Sequence, residues 1–373
     1  AEKLAADEHR HLEAVYRPAA QAIAALEGGD QAEAAKRLLD AAALEESRDD
    51  ARRAAEYADA AHGLAREAGH PGLSSLALRR RARHRRAMGL FDQAARDYTQ
   101  ALLFAEAAGD TRGVAEATIG VGNVLEEQGH WDQAADRYRE ALAALEGADA
   151  PVPEQWHALL NLHVSLRSLG DLETCIEPLE AAESVAARLG DASARPFIEN
   201  ARGQHQMAVG AFEAAESHLR RAVDSARGGR AEIASRLNLA ETLFALGRPL
   251  DAAEEARRAE REAISSSTVV KLPEVYRLLG RIAASEGVTD AFVLFERALE
   301  IIEERGLPDI ERAQTLQAYA EAESRVGDPQ TADELLKQAD ALYRSLGISH
   351  RRGAWADRFD ADAGNDQQGI DHG

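Results

Sequence analysis

A chain of 373 residues with one cysteine, two methionines and 5% aromatics lacks the materials for several kinds of protein. The single Cys175 rules out an internal disulfide and leaves no thiol cluster for a metal. No apolar run approaches the roughly 18 residues of a membrane span, so no membrane insertion is expected. Strand-like alternation of Val, Ile and Thr is almost absent. Lysine is nearly missing as well: Lys3, Lys36, Lys271 and Lys337 stand among 44 basic residues, the remainder being arginine. A GC-rich coding bias accounts for that imbalance, with adaptation to salt the sharper reading. Sixty-five acidic residues bring the net charge to −21, which argues against a general nucleic-acid binder, because phosphate neutralisation needs a basic face.

Catalytic signatures are missing too. The chain has no G-x-x-x-x-G-K-[ST], no G-x-S-x-G, no H-E-x-x-H and no paired cysteines. The closest histidine pairs, His9 with His11 and His157 with His163, do not share a helix face at ligand spacing. The segment "DADAGND" lacks the closing Glu of a calcium loop. Neither a cofactor nor a metal is expected, and no enzyme is nominated. The chain opens at Ala1 without a charged-plus-apolar leader, which fits a trimmed start or a fragment and makes the cytoplasm the expected location.

What is present is alanine and a repeat. Alanine favours helix and permits close helix contacts. Glycines recur at Gly89, Gly129, Gly170, Gly210, Gly247, Gly287 and Gly327, close to 40 residues apart, and Asp49 extends the ladder one step earlier. Five residues after most of them stands a small residue: Ala94, Ala134, Cys175, Ala215, Ala252, Ala332. Twelve after stands another: Ala101, Ala141, Ala182, Ala222, Ala259, Ala339. Seven before stand Ala82, Gly122, Gly203, Ala240, Gly280 and Ala320, with His163 the exception. Near Gly287 the columns slip by one, to Ala291 and Ala298, as a loop shorter by one residue would cause. Small residues at fixed places in two helices let their backbones approach, and each glycine ends the first helix at a turn. The spacing predicts helix pairs over 31–47 with 50–69, 72–88 with 91–108, 112–128 with 131–146, and 154–169 with 172–189. It continues as 193–209 with 212–227, 230–246 with 250–264, 272–286 with 289–305, and 309–326 with 329–346.

These columns resemble the tetratricopeptide repeat family, most clearly in "GVGNVLEEQGHWDQAADRYREAL" over Gly120–Leu142, with Gly122, Gly129, Trp131, Ala134, Tyr138 and Ala141 at the family's spacing. The period near 40 resembles the family's long-helix subgroup. The resemblance implies an all-α fold, a right-handed solenoid of stacked antiparallel helix pairs. Residues 1–348 would hold about eight pairs and an N-terminal capping helix near 2–27. Residues 349–373 would form an acidic, disordered tail, with Trp355 and Phe359 docking as a last cap. It also implies a non-enzymatic module that holds a protein or peptide segment in a concave groove, as an adaptor or as the sensor of a regulator. A second reading takes the chain as the sensor region of a larger multidomain signalling or transcription-regulating ATPase.

Helical period places the groove-facing positions about thirteen, ten, six and three residues before each turn glycine. Those positions nominate Arg79, Arg83, Arg86, Asn123, Asn161, Arg167, Asn200, Gln204, Asn238, Arg277 and Arg281 as partner-binding residues. In the family such asparagines clamp a peptide backbone, and Asn123 and Asn161 hold matching places in consecutive units. Phe197 and Ala201 stand where a chaperone-tail clamp needs cations, which argues against that ligand. The run "RRRARHRR", Arg79–Arg86, has three readings: a nucleic-acid or nuclear signal, pairing with acidic neighbours such as Glu126, or an anion-binding ladder of Arg79, Arg83 and Arg86 for an acidic partner segment. Arg81 and Arg85 occupy places that are apolar elsewhere (Val121 and Leu125, Leu162 and Leu166), so they are expected to lay their stems along the core and turn their guanidiniums outward.

Overall fold

The computed structural model describes residues 16–46, 50–146, 152–266, 268–288 and 290–348. Asp49, residues 1–15 of the expected capping helix, and the 349–373 tail with Trp355 and Phe359 lie outside the described residues. Every regular element among those described is helical. After α1 (residues 16–27) come α2 (Gln31–Glu46), α3 (Ala51–Glu67), α4 (Pro71–Ala87), α5 (Phe91–Ala108), α6 (Thr111–Glu127) and α7 (Trp131–Ala144). Then follow α8 (Pro153–Ser168), α9 (Ile176–Leu189), α10 (Arg195–Ala208), α11 (Phe212–Ser225), α12 (Gly229–Ala245) and α13 (Pro249–Ser265). The series ends with α14 (Leu272–Ser285), α15 (Ala291–Arg305), α16 (Asp309–Val326) and α17 (Pro329–Ser345). The expected pairing is thus found, with ends moved by a few residues. The largest shift is at α9, which begins at Ile176, four residues later than the period predicts. Asp171 accounts for it: its Oδ1 accepts the Thr174 amide at 3.1 Å, holding a turn where the helix would start.

The turn glycines and the small columns perform their expected roles. Gly89, Gly129, Gly170, Gly210, Gly247 and Gly287 take left-handed φ between +71° and +83°, a region closed to most side chains. Gly327 departs from this set, with φ −124° and ψ −135°. All three small-residue columns are buried, Cys175 and the slipped Ala291 and Ala298 among them. The column seven residues before the turn is small because a large residue of the second helix presses on it. A Cβ at Gly122 would sit 2.6 Å from the Tyr138 ring, and one at Gly203 would sit 2.5 Å from Leu219 Cγ.

That contact sets the sign of a substitution. Alanine gains up to about 1 kcal/mol over glycine in a helix interior, while overpacking a rigid site costs about 1–3 kcal/mol. Gly203→Ala should therefore lower stability by about 1 kcal/mol or more. Gly63→Ala, in α3 with nothing within 4 Å of the new Cβ, should raise it. Urea titration of both variants checks the pair, and a stabilised Gly203→Ala would refute the packing account.

The chain divides into two compact units. One contains Ala1–Leu125 with Asp136–Ala150, and the other contains Glu126–Ala135 with Pro151–Gly373. In the first unit, α2 to α5 pack as consecutive neighbours. Ala35, Leu39, Ala61, Ala65, Leu73 and Ala77 make one apolar cluster, and Leu78, Ala101 and Ala117 make another. In the second unit the first helices of successive pairs also touch one another, α8 with α10, α10 with α12, α12 with α14 and α14 with α16. The turn residues 126–135 pack far along the sequence here. Trp131 joins the cluster of Ile310, Leu316, Tyr343 and Ile348, and Gly129 lies against Ile310.

Candidate functional site

The arginine run occupies most of α4 in the first unit, and its side chains divide by helical period. Arg79 is buried and pairs with Glu116 of α6, with Asp110 at 3.9 Å. Arg80 donates to the Leu39 carbonyl at 3.0 Å, and His84 Nε2 meets Glu46 at 2.9 Å. Arg83 is exposed and makes no hydrogen bond or ion pair among the described residues, whereas Arg86 is half-buried. The three arginines of the expected ladder therefore stand in three different environments.

Arg81 and Arg85 correct the expectation that their guanidiniums turn outward. Arg81 is buried and grips Asp97 of α5 through two bonds, Nε to Oδ2 at 2.9 Å and one terminal nitrogen to Oδ1 at 2.6 Å, while its other terminal nitrogen pairs with Asp59. Arg85 reaches the same Asp97 at 2.7 Å. A buried carboxylate makes the inward pose cheaper than solvation, because a forked guanidinium matches it bidentately. Burial alone would lower the Arg81 pKa, and the Asp97 and Asp59 carboxylates reverse the shift and raise it.

The remaining nominees sit on first helices. In the first unit, Asn123 of α6 is half-buried and accepts from the Tyr138 hydroxyl at 2.9 Å. In the second unit, α8 carries Asn161 and Arg167, α10 carries Asn200 and Gln204, α12 carries Asn238, and α14 carries Arg277 and Arg281. All seven are half-buried. Rungs one repeat long connect several of them. Asn238 Nδ2 donates to Asn200 Oδ1 at 2.9 Å. Arg281 pairs with Glu241 of α12 at 3.3 Å and lies 5.9 Å from the Phe244 ring centroid. Arg277 pairs with Glu311 of α16 at 2.9 Å and reaches Thr315 Oγ1 at 3.3 Å. Arg230 and Glu127 stand 3.5 Å apart, and Lys271 meets Glu274 at 2.8 Å.

Enclosure moves the charges of this face in both directions. Burial pushes the Glu241 carboxyl up, although Arg281 and Arg277 oppose it. Burial also works against the Arg277 charge, but Glu311 and Glu274 outweigh it and the pKa rises. Arg167 goes the other way: burial lowers its pKa, and the charges of Glu126 and Glu241 only partly offset it. Gln204 makes no hydrogen bond among the described residues.

A histidine lies beside this face. His163 fills the place that other repeats give to a small residue, and it is fully buried with Nδ1 2.7 Å from the Cys175 carbonyl. Burial drives its pKa down to about 4. Cys175 Sγ is 3.6 Å from His205 Nδ1, and burial pushes the thiol up, so it is held as a packed thiol rather than a thiolate. Among the described residues no group of three His, Cys, Asp or Glu side chains is placed to hold a metal ion. No described helix is long and apolar enough to cross a membrane.

Sequence reasoning placed the first-helix residues by period but missed Asp97 as the receptor of Arg81 and Arg85. The available signal was an acid on the second helix, eight residues after Gly89, beside arginines at otherwise apolar places.

Stacked helix pairs whose first helices carry an enclosed polar face define an α-solenoid of the kind used for protein interaction. Residues 73–147 match the family model for the tetratricopeptide repeat. A comparison with curated proteins finds no match. Among solved structures, a Rap protein complexed with competence and sporulation factor aligns with a TM-score of 0.67 over 93% of this chain and 99% of that one, at 15% identity. The Rap conjugation gene regulator of the plasmid pLS20, in complex with the Phr* peptide, aligns with a TM-score of 0.63 over 89% of this chain and 96% of that one, at 14% identity. At such identities the likeness is one of fold.

Proposed function

We propose that this chain is a non-enzymatic interaction module that holds an extended peptide segment along the first-helix face of its second unit, serving as an adaptor or as the sensor of a regulator. The observation that carries the reading is the run of half-buried amides and guanidiniums on four consecutive first helices: Asn161, Arg167, Asn200, Gln204, Asn238, Arg277 and Arg281. An extended backbone presents alternating N–H and C=O groups, and side-chain amides carry both complements on one group. Helices at the fixed pitch of a solenoid space such groups along the ligand. Two structures of the same fold are described as complexes, one with the Phr* peptide and one with competence and sporulation factor, and this supports the same use here.

Display of random decapeptides against the full chain, followed by affinity measurement, tests the reading. Asn161→Ala and Gln204→Ala should each weaken the selected peptides roughly tenfold, the size of a lost hydrogen bond in an enclosed site. Peptides that bind both variants as tightly as the native chain would place the site elsewhere.

A further inference from the structure

We infer that Arg167 is the anion anchor of the second unit's first-helix face, and that the peptide held there presents a carboxylate to it. The inference rests on the peptide-binding reading and names the ligand chemistry that completes it.

Arg230, Arg277 and Arg281 on the same set of first helices each have a carboxylate of the protein within 2.9–3.5 Å. Arg167 has none. Among the described residues its guanidinium makes no ion pair or hydrogen bond, and its Nε is buried without a partner. An enclosed guanidinium loses hydration that nothing replaces, so its position favours whatever anion can reach it. Glu126 and Glu241 lie near enough to be felt, but neither makes an ion pair with it among the described residues, and burial still lowers its pKa overall.

The surroundings select the kind of anion. Glu126 and Glu241 flank the site, so a dianionic phosphate would meet two carboxylates at once, whereas a monoanionic carboxylate needs only the one guanidinium fork. On the next first helix, α10, Gln204 has its hydrogen-bonding capacity open. Gln204 of α10 and Asn161 of α8 carry side-chain amides of the kind that pair with a peptide backbone. Arg79 of the first unit is not equivalent, because Glu116 and Asp110 already meet its charge.

The carboxylate has two sources, a C-terminus or an Asp or Glu side chain, and one experiment separates them. Decapeptides selected by display against the full chain are made in three forms: free acid, C-terminal amide, and with Asp and Glu replaced by Asn and Gln. Affinities are measured for the native chain and for Arg167→Gln. Removing the responsible carboxylate should weaken binding to the native chain about tenfold or more, and should change binding to Arg167→Gln by less than about twofold. A loss on amidation assigns the terminus, and a loss on side-chain neutralisation assigns an acidic residue. Peptides that bind the native chain equally in all three forms overturn the inference and leave peptide binding intact. A selection that yields no binder overturns both. Because Arg167→Gln breaks no hydrogen bond or ion pair among the described residues, the variant should melt at or above the native temperature. A lower melting temperature would give Arg167 a structural role instead and also overturn the inference.

Discussion

Asp97→Ala should destabilise the first unit by about 3–5 kcal/mol, the range for removing one partner of a buried ion pair. Asp97 is 3% exposed and takes both bonds from Arg81 and one from Arg85. Its loss leaves Arg81 buried with only Asp59 to pair with, and Asp59 is 63% exposed and weakened by solvent. Total stabilities of natural proteins are about 5–15 kcal/mol, so the variant should lose a large share of its margin. Chemical denaturation followed by circular dichroism measures the loss.

The companion variant separates pairing from packing. Val121, Leu125, Leu162 and Leu166 show what other repeats place where Arg81 and Arg85 stand. Replacing a buried ionic triad with apolar residues of similar volume is often neutral or stabilising. Arg81→Val, Arg85→Leu and Asp97→Val together should therefore recover most of what Asp97→Ala alone loses. An Asp97→Ala chain that unfolds at the native denaturant concentration would show that the triad contributes nothing.

Acid should weaken the second unit through His163. Its folded-state pKa of about 4 lies below the ordinary 6.5, so the unfolded chain takes up a proton that the folded chain refuses. The corresponding stability is fully present above about pH 6.5 and is lost as pH falls towards 4. The whole shift is worth about 3 kcal/mol, of which about 2 kcal/mol should vanish between pH 7.5 and pH 5. His163→Ala restores the small residue that the repeat uses at this place and should remove that part of the pH dependence, whatever it changes at neutral pH. Urea titrations at the two pH values, native against variant, give the difference directly. Equal losses in both proteins would mean that His163 titrates normally.

Much of the fold was legible because repetition averages out local ambiguity. A single glycine says little, but seven at near-constant spacing, most with small residues five and twelve places on, locate a turn and two close-packed helices. The reading slipped where one side chain overrides the period. Asp171 caps a turn that delays α9, and Gly327 ends its helix without the left-handed conformation of its counterparts. The site was legible only as a face. Period places Arg79, Arg83 and Arg86 on one stripe, yet it cannot say which carboxylate each one meets, because that depends on the neighbouring helices. Glu116 and Asp97 are such neighbours, and they turned a row of arginines into buried pairs. Arg167 stood out for the opposite reason: among the described residues no carboxylate pairs with it.

The contact of Gly129 and Trp131 with Ile310 and Ile348 changes how the second unit must fold. In a repeat array where each pair touches only its neighbours, structure can start anywhere and spread, and the ends can fray independently. Here four helix pairs, α8 to α15, lie in sequence between the two sides of one apolar contact. The chain entropy of bringing those sides together is charged before the contact returns anything, which slows the last step. Once it has formed, α16 and α17 cannot melt without also exposing Trp131. The unit's terminal helices are thus tied to the fate of a turn about a third of the way along the chain.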